Sequence, residues 1–274
     1  MTLSSDFYLH IVGDKGLAVR TATAYADHLR HFSIWFEQTN GQALDKTNLT
    51  QTDAREYRQH LQQRGASPAT INVRLAALRS FAAWCDVALY VAGVEQQPLA
   101  PRWLDRREQS ALLREAERAI NAANFSTRKG LATRDRAVIV LLLNTGLRVS
   151  ELCALQPDDV TIGERSGQLV VRAGKGSKQR TVALNKEARA ALGAIPLPLP
   201  VRPRQVQRAI EELGRRAGVP ATPHTLRHTF AKNLADHVPA DRVAALLGHT
   251  NLNSTRRYTI PGQHDLQAAV ETLE

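Results

Sequence analysis

Apolar residues recur at helical spacing through roughly the first hundred positions of the chain. The clearest stripe, in TATAYADHLRHFSIWFEQTNG, consists of Tyr25, Leu29, Phe32, Trp35 and Phe36. Thr21 or Thr23 can cap this helix and Gly41 can end it. A weaker pattern predicts a further helix over residues 4–12.

Two more helices are predicted from their start and stop signals. LTQTDAREYRQHLQQRG can begin after Thr50 or Thr52 and close at Gly65. SPATINVRLAALRSFAAWCDV has Ser67 as its cap and Pro68 in the first turn. Residues 1–92 are therefore predicted to form a bundle of about four helices.

A linker is predicted at residues 93–103, where GVEQQPLAPRWL has little periodicity and two prolines. A new helix follows, with Asp105 and Glu108 spaced as a capping box. TRDRAVIVLLLNTGLRVSELCAL predicts an apolar helix that stops at Gly146 and restarts at once.

One β hairpin and a proline-spaced connector complete the pattern. GQLVVRAGKGSKQRTVAL has two β-branched runs about a glycine-rich turn, and IPLPLPVRP indicates extended chain within a connector at 185–204. Helical spacing resumes near Arg204. Residues 104–274 are thus predicted to form a second, mainly α domain with a small antiparallel β-sheet.

The net charge of +10 is concentrated in one part of the chain. Residues 1–98 carry nine basic and nine acidic side chains, so the whole excess lies in residues 99–274. This asymmetry favours a polyanionic partner, and nucleic acid before a membrane, because no basic amphipathic anchor helix stands out. Many basic proteins never bind DNA, so charge alone does not decide.

Other bulk features concern the compartment. The sequence has no apolar run of about 18 residues, which predicts no membrane span. The first residues, MTLSSDFYLHIVGDKG, lack the pattern of a signal peptide. Cys85 and Cys153 lie far apart in apolar stretches, which predicts buried reduced thiols and a cytoplasmic protein.

Two basic residues at turns are candidates for phosphate chemistry. Arg148, in NTGLRVSEL, can pair with Glu151 within the protein or bind a phosphate through its guanidinium fork. Lys175, in GKGSKQR, can be a solvated turn residue or a proton donor to a departing oxygen.

Two histidines and an arginine lie in TPHTLRHTFA. His224 and Arg227 are three residues apart and share a helical face. His224 and His228 have the i, i+4 spacing of metal ligands, but Thr225 stands where the zinc-protease motif has glutamate. A metal site is therefore not expected, and no cofactor is predicted.

A single tyrosine, Tyr258, lies near the C-terminus in GHTNLNSTRRYTIPG, nine residues after His249. By itself it can be a packing residue of a terminal helix. A phenol with a pKa of about 10 can also attack phosphorus if a base takes its proton and nearby cations stabilise its anion. Arginines and histidines around a phosphate would neutralise the charge that develops.

Taken together and in this order, Arg148, Lys175, His224, Arg227, His249 and Tyr258 resemble the tyrosine recombinase (phage integrase) family, of the simple two-domain, Xer-like or resolvase-like type. The motifs TGLRVSEL, GKGSKQRTVAL, HTLRHTFA and LLGHTNLNSTRRYT carry the resemblance, which covers roughly residues 100–270. The helical first domain is similar to the family's SAM-like core-binding domain.

The resemblance implies a role for each motif residue. Arg148 and Arg227 would clamp the scissile phosphate, and Lys175 would protonate the 5′-oxygen that leaves. Tyr258 would attack to form a 3′-phosphotyrosyl link.

The remaining three roles support this attack. His224 would be the general base near the tyrosine, and His249 would hydrogen-bond a phosphate oxygen. Glu151 would support Arg148. Strands would then be exchanged between two DNA molecules without a metal ion or ATP.

The same resemblance implies an assembly on double-stranded DNA. Four protomers would act on two recombination sites, and a need for accessory proteins stays open. The tail HDLQAAVETLE has an amphipathic stripe, Leu266, Ala269, Val270 and Leu273. It can pack on its own domain or, as the family suggests, dock on the next protomer.

Residues that contact DNA bases are predicted at two helices. One set follows the connector, and these side chains can reach base edges or contact only phosphates and water: Arg204, Gln205 and Arg208. The other set is on the helix that starts at Ser67: Asn72, Arg74 and Arg79.

Two rival functions share some of these features. A type IB topoisomerase has similar catalytic residues but relaxes supercoils at a single site. A DNA-binding regulator with an inactive site would belong to another class, and the six filled catalytic positions speak against it. The absence of a sequence for an additional N-terminal arm-binding domain favours the simple recombinase type.

Overall fold

A computed structural model describes residues 2–96, 101–172 and 179–248. The chain divides into two compact units, residues 1–99 and 100–274. Each unit has a hydrophobic core of its own. The finer bounds, 1–92, 93–103 and 104–274, stay a prediction.

The first unit contains the four helices that the hydrophobic pattern predicts. They are α1 (Leu3–Gly13), α2 (Val19–Asn40), α3 (Gln51–Gln63) and α4 (Pro68–Trp84). The largest buried side chains at the centre are aromatic: Phe7, Phe32, Phe36, Tyr57 and Phe81. Phe32 meets the Tyr57 ring edge-on, with 4.9 Å between the ring centroids.

Most of the predicted helix caps of this unit are confirmed, and one is wrong. Thr50 caps α3 in a reciprocal box with Asp53, and Ser67 caps α4. The wrong cap is that of α2, which begins at Val19 instead of after Thr21 or Thr23. The Thr23 hydroxyl lies inside the helix and donates to the Val19 carbonyl, so it does not cap the helix N-terminus.

The second unit is mainly helical, and its described elements are α5 (Arg106–Asn121), α6 (Ser126–Thr145), α7 (Val149–Ala154), a short 3-10 turn (Pro157–Asp159), β1 (Val160–Ile162), β2 (Gly167–Val171), β3 (Arg180–Ala183), α8 (Lys186–Gly193), α9 (Pro203–Ala217), α10 (Pro223–Ala235) and α11 (Ala240–Leu247). The three strands form an antiparallel sheet in the order β1-β2-β3. The fold is therefore mainly α with a small antiparallel sheet, as the sequence predicts.

Helix α6 is the centre of the second unit. It packs against α5, α8, α9 and α10, and Leu141 and Leu142 are fully buried. The capping box of Asp105 and Glu108 at the start of α5 is confirmed. Leu104 just before it is fixed by a backbone hydrogen bond to the buried Thr229 hydroxyl of α10, at 2.8 Å.

The end of α6 determines where the next functional residue lies. Gly146 ends the helix in the left-handed conformation, with φ of 61°. A Cβ atom at this position would lie 2.3 Å from the Phe230 ring, so both the conformation and the space require glycine. Arg148 follows two residues later and precedes α7.

Two elements were missed in the sequence. Strand β1 has only three residues, which is too short to show an alternating pattern. Helix α8 lies inside the predicted 185–204 connector and begins with the Asn185 side chain accepting from the Ala188 N–H at 2.9 Å. The extended proline-spaced segment follows it.

Two expectations from the bulk sequence can be compared with the described residues. None of the described helices combines the length and apolar character needed to cross a membrane. Cys85 and Cys153 are both free thiols, and each is half-buried rather than fully buried.

Candidate active site

Four charged side chains from separate elements meet in the second unit. Arg148 immediately precedes α7 and Glu151 lies in its first turn. Arg180 begins β3, and Arg227 lies on α10. Three of these four positions were predicted from the sequence, and Arg180 was not.

Glu151 is at the centre of this cluster. Its side chain is only 3% exposed, and its two oxygens accept from two arginines. Arg148 donates a side-chain N–H to Oε1 at 2.7 Å and its backbone N–H to Oε2 at 2.8 Å. Arg180 donates Nη1 to Oε1 at 2.9 Å and Nη2 to Oε2 at 2.7 Å, which is a bidentate pair.

These contacts keep Glu151 ionised. Burial by itself would raise the pKa of the carboxyl group. Hydrogen bonds from Arg180 and Arg148, together with the charge of Arg180, outweigh burial and lower the pKa to about 2. A fixed carboxylate can therefore orient the arginines at neutral pH.

Arg227 joins the cluster from another side. Its side chain is buried, and Nη1 lies 3.9 Å from Oε2 of Glu151. The same Nη1 donates to the Gly146 carbonyl, and Nη2 donates to the Leu247 carbonyl at 2.6 Å. The arginine thus connects the end of α6 with the end of α11.

Arg180 makes a second contact with the end of α11. Its Nε donates to the Leu246 carbonyl at 3.1 Å, and its side chain is 10% exposed. Gly248 ends α11 with φ of 64°, and a Cβ atom there would lie 3.1 Å from the arginine's Cδ. Because His249 follows directly in the chain, two active-site arginines fix the segment that leads to it.

The charges of the cluster do not balance within it. Among the residues that the structure describes, three guanidinium groups, which stay protonated in proteins, surround one carboxylate. Excess positive charge in a partly buried site is stabilised by an anion. Arg148 is the most accessible of the three, with 31% of its side chain exposed. A phosphodiester group has the charge and the hydrogen-bond acceptors that this site lacks.

His224 is exposed in the first turn of α10, on the same helix as Arg227. The other three predicted catalytic residues, Lys175, His249 and Tyr258, lie outside the described residues. So does the predicted tail helix. By chain order, Lys175 belongs to the connection between β2 and β3, five residues before Arg180.

Metal chemistry was not expected, and the described part of the chain contains no group of three histidine, cysteine, aspartate or glutamate side chains that could hold a metal ion. The pair His224 and His228 has no third ligand among those residues.

The predicted DNA-reading residues differ in what they contact. Arg204, Gln205 and Arg208 are all exposed at the start of α9, where the Gln205 side chain accepts from the Arg202 backbone N–H at 2.9 Å. Their role at DNA stays a prediction.

On α4, Asn72 and Arg79 have partners inside their own unit. Asn72 makes two hydrogen bonds to the Val94 backbone, at 2.7 and 2.9 Å, and Arg79 donates to the Val91 carbonyl at 2.9 Å. They fasten the segment that follows the bundle. Arg74 lies on a different face of α4, beside the Tyr57 hydroxyl.

Arg180 is the member of this cluster that was not predicted from the sequence. It stands in the quoted motif GKGSKQRTVAL, but nothing local distinguishes it from the other basic residues there. Its partners are 29 and 66 positions away, so only the tertiary structure identifies them.

Two family models match most of the chain. The model of the phage integrase family matches residues 102–195 and 199–264, and that of the phage integrase N-terminal SAM-like domain matches residues 5–86. Together these ranges include all six predicted catalytic positions.

Known relatives match over almost their full length. Tyrosine recombinase XerC of Xylella fastidiosa is 32% identical over 282 residues, which is 94% of this chain and 91% of the relative. Tyrosine recombinase XerA of Thermococcus kodakarensis is 32% identical over 275 residues, with 94% and 90% covered.

Solved structures support the fold. The site-specific recombinase XerH, bound to palindromic difH substrate in a post-cleavage complex, aligns with a TM-score of 0.75 at 21% identity. The alignment covers 97% of this chain and 84% of XerH. From the matched domains and the relatives, this chain belongs to the phage integrase family of tyrosine recombinases.

Proposed function

We propose that this site-specific recombinase cuts and rejoins double-stranded DNA through a transient bond between Tyr258 and a 3′-phosphate. The observation that carries the proposal is the cluster of Arg148, Arg180 and Arg227 around Glu151, in which the described residues have an excess of positive charge that suits a phosphodiester. The family membership and the motif order support the assignment of the attacking tyrosine.

The cleavage step forms one bond and breaks one. The Tyr258 oxygen bonds to phosphorus while the bond from phosphorus to the 5′-oxygen breaks. His224 takes the phenolic proton, and Lys175 gives a proton to the leaving 5′-oxygen. Arg148, Arg227 and His249 neutralise the charge on the other phosphate oxygens.

The rejoining step is the reverse reaction with a new strand. A 5′-hydroxyl from the partner DNA gives its proton to Lys175 and its oxygen bonds to phosphorus. The bond from phosphorus to the Tyr258 oxygen breaks, and His224 returns the proton to the phenol. The covalent link conserves the phosphodiester bond energy, so the exchange needs no ATP. The arginines and His249 neutralise the phosphate charge that a metal ion would otherwise neutralise.

Within this scheme Arg180 is a positioning residue. Its bidentate pair holds Glu151, which in turn holds the backbone and side chain of Arg148. Its bond to Leu246 holds the chain just before His249. A single residue thereby sets the relative positions of a phosphate-clamping arginine and a phosphate-binding histidine.

The partner and assembly belong to the same proposal. Double-stranded DNA fits the excess basic charge of residues 99–274, and the XerH structure is of a complex with its difH substrate. We propose a homotetramer on two sites, in which the tail helix of each protomer docks on the next, in the cytoplasm.

Recombination is favoured over relaxation of supercoils. The relatives that match this chain almost end to end are recombinases, and the SAM-like domain of integrases matches its first unit. A topoisomerase reaction would need one site and would leave the parental sequence unchanged.

The proposal is tested with a DNA site that the full-length protein selects from a random duplex library. On a nicked form of this site, the wild type should give a covalent adduct in the presence of EDTA, and Tyr258→Phe should give none. Two intact sites should then yield recombinant products. Adduct without recombinants would favour the topoisomerase reaction, and specific binding without any adduct would refute both enzymatic functions.

A further inference from the structure

A basic pocket lies within the first unit and shares no residue with the arginine cluster around Glu151. It is enclosed by α2, α3 and α4 and has a volume of about 390 Å³. Its lining combines apolar, polar and basic side chains: His31, Ile34, Trp35, Gln38, Tyr57, His60, Leu61, Arg64, Ala66 and Arg74. These residues form the α2–α4 pocket.

The lining of the α2–α4 pocket contains two arginines and two histidines but no carboxylate. Neither Arg64 nor Arg74 has a carboxylate within 4.0 Å among the described residues. Since residues 1–98 are neutral as a whole, this concentration of unpaired basic groups is a local feature of the pocket.

Two buried polar atoms at the pocket have no hydrogen bond of ordinary geometry among the described residues. Tyr57 is 2% exposed, and its hydroxyl interacts with the neighbouring Arg74 side chain without forming such a bond. The Nε of Arg74 is also buried without a partner there. Buried polar groups that lack hydrogen bonds are rare and costly, so they indicate a site where an acceptor binds.

Aromatic packing fixes the walls of the pocket. The rings of Tyr57 and His60 are stacked, with 15° between their planes, and the Trp35 ring lies 5.1 Å from that of Tyr57. Burial raises the pKa of Tyr57, against the opposing charge of Arg74, so the hydroxyl keeps its proton and can donate. The Tyr57 hydroxyl is therefore held in place before a ligand binds.

Arg74 enters the pocket because of its position on α4. Asn72 and Arg79 are bound to the backbone of residues 91–94, whereas Arg74 lies two residues from Asn72 and so on another side of the helix. The proximity of Arg74 and His31, after burial itself, lowers the pKa of His28 next to them. The opposing charge of Asp27 has a smaller effect on this histidine than the charges of Arg74 and His31.

We propose that the α2–α4 pocket binds a phosphate group, with Arg74 and Arg64 as its charged ligands and the Tyr57 hydroxyl as a neutral donor. Guanidinium groups match the geometry of phosphate oxygens, and none of the lining residues repels an anion. The phosphate is either one from the DNA backbone or a free one. Binding of a DNA backbone phosphate rests on the proposed function, whereas binding of a free phosphate at this pocket is independent of it.

The first arm of the test uses inorganic phosphate and the full-length protein. Ring resonances of His31 and His60 are followed by NMR during titration with sodium phosphate, against sodium chloride at equal ionic strength. We expect saturable shifts in the wild type and in Arg55→Gln, which removes an exposed arginine of α3 outside the lining. The shifts should be lost in Arg74→Gln.

The second arm measures affinity for duplex DNA as a function of salt. A backbone phosphate in the pocket predicts that Arg74→Gln binds about tenfold or more weakly and that the salt slope falls by about one. Arg55→Gln should do neither. The histidine shifts and the DNA affinity can be measured even if the protein does not cleave DNA, since neither measurement requires cleavage.

The outcomes separate the two sources. Histidine shifts with an unchanged DNA affinity identify a free phosphate, and a reduced salt slope identifies a DNA phosphate. Arg64→Gln, at an exposed position, provides a second variant if Arg74→Gln loses its helical circular dichroism. If the wild type shows no saturable shift and the slope is unchanged in both pocket variants, the proposal is wrong.

Discussion

Replacing Glu151 with glutamine should change how the stability of the catalytic unit depends on pH. The folded-state pKa of Glu151 is about 2, against an ordinary value of 4.5, because Arg180 and Arg148 outweigh its burial. A carboxyl group whose folded pKa is depressed stabilises the protein above its unfolded pKa. That stabilisation is lost as the pH falls through the folded pKa.

The magnitude follows from the size of the shift. At pH 7 the ionised Glu151 contributes about 3 kcal/mol relative to its protonated form, and at pH 3.5 about 2 kcal/mol. The difference in unfolding free energy between the wild type and Glu151→Gln should therefore shrink by about 1 kcal/mol over this interval. The other carboxyl groups titrate alike in both proteins and cancel in the difference.

The assay is urea unfolding of the full-length chain followed by circular dichroism at the two pH values. The unfolding of residues 1–99 should be unaffected by the substitution and serves as an internal reference. Glu164→Gln is the matched control, because Glu164 is exposed in the same unit. A Glu151→Gln difference that stays constant between pH 7 and pH 3.5 would refute the claim that the arginines hold this carboxyl ionised.

Two further substitutions test the architecture of the site. Gly146→Ala should lower the unfolding free energy by about 1–3 kcal/mol more than Gly218→Ala. Both glycines have positive φ, but of the two only Gly146 faces the Phe230 ring. Equal losses of unfolding free energy in urea would contradict the packing argument. Arg180→Met should slow single-turnover cleavage on the order of 100-fold with a smaller change in DNA affinity, through misplacement of the phosphate clamp. The cleavage rate should recover in part in Arg180→Lys. Arg136→Met breaks a half-exposed ion pair of the same unit and should cleave at the normal rate. Equal cleavage rates in Arg180→Met and Arg136→Met would contradict the positioning role of Arg180.

Local signals predicted much of the helical framework. Ser67, Thr50 and Asp105 act through residues three positions away, so their caps are visible in the sequence. Gly146 was predicted as a helix end because glycine readily adopts the left-handed conformation that ends a helix. Helix α8 and strand β1 were missed because each is short and depends on packing within its unit.

The active site was only partly accessible to the same reasoning. Arg148, Glu151 and Arg227 stand in motifs whose residue types suggest phosphate chemistry, and the structure brings them together. Arg180 acts through partners distant in sequence, so its role required the fold.

The α4 predictions show a second limit of sequence reasoning. A polar residue on a helix can point to solvent, to DNA or to its own chain. The sequence does not distinguish these for Asn72, Arg74 and Arg79. Asn72 and Arg79 support the backbone of residues 91–94, whereas Arg74 lines the α2–α4 pocket.

The central claim is that Tyr258 is the attacking group, and peptide mapping of the covalent adduct tests it most directly. The adduct formed on the nicked site is digested with protease and nuclease, and the modified peptide is sequenced by mass spectrometry. The account predicts a nucleotide joined through its 3′-phosphate to the oxygen of Tyr258. An adduct on any other residue, or one joined through a 5′-phosphate, would contradict it.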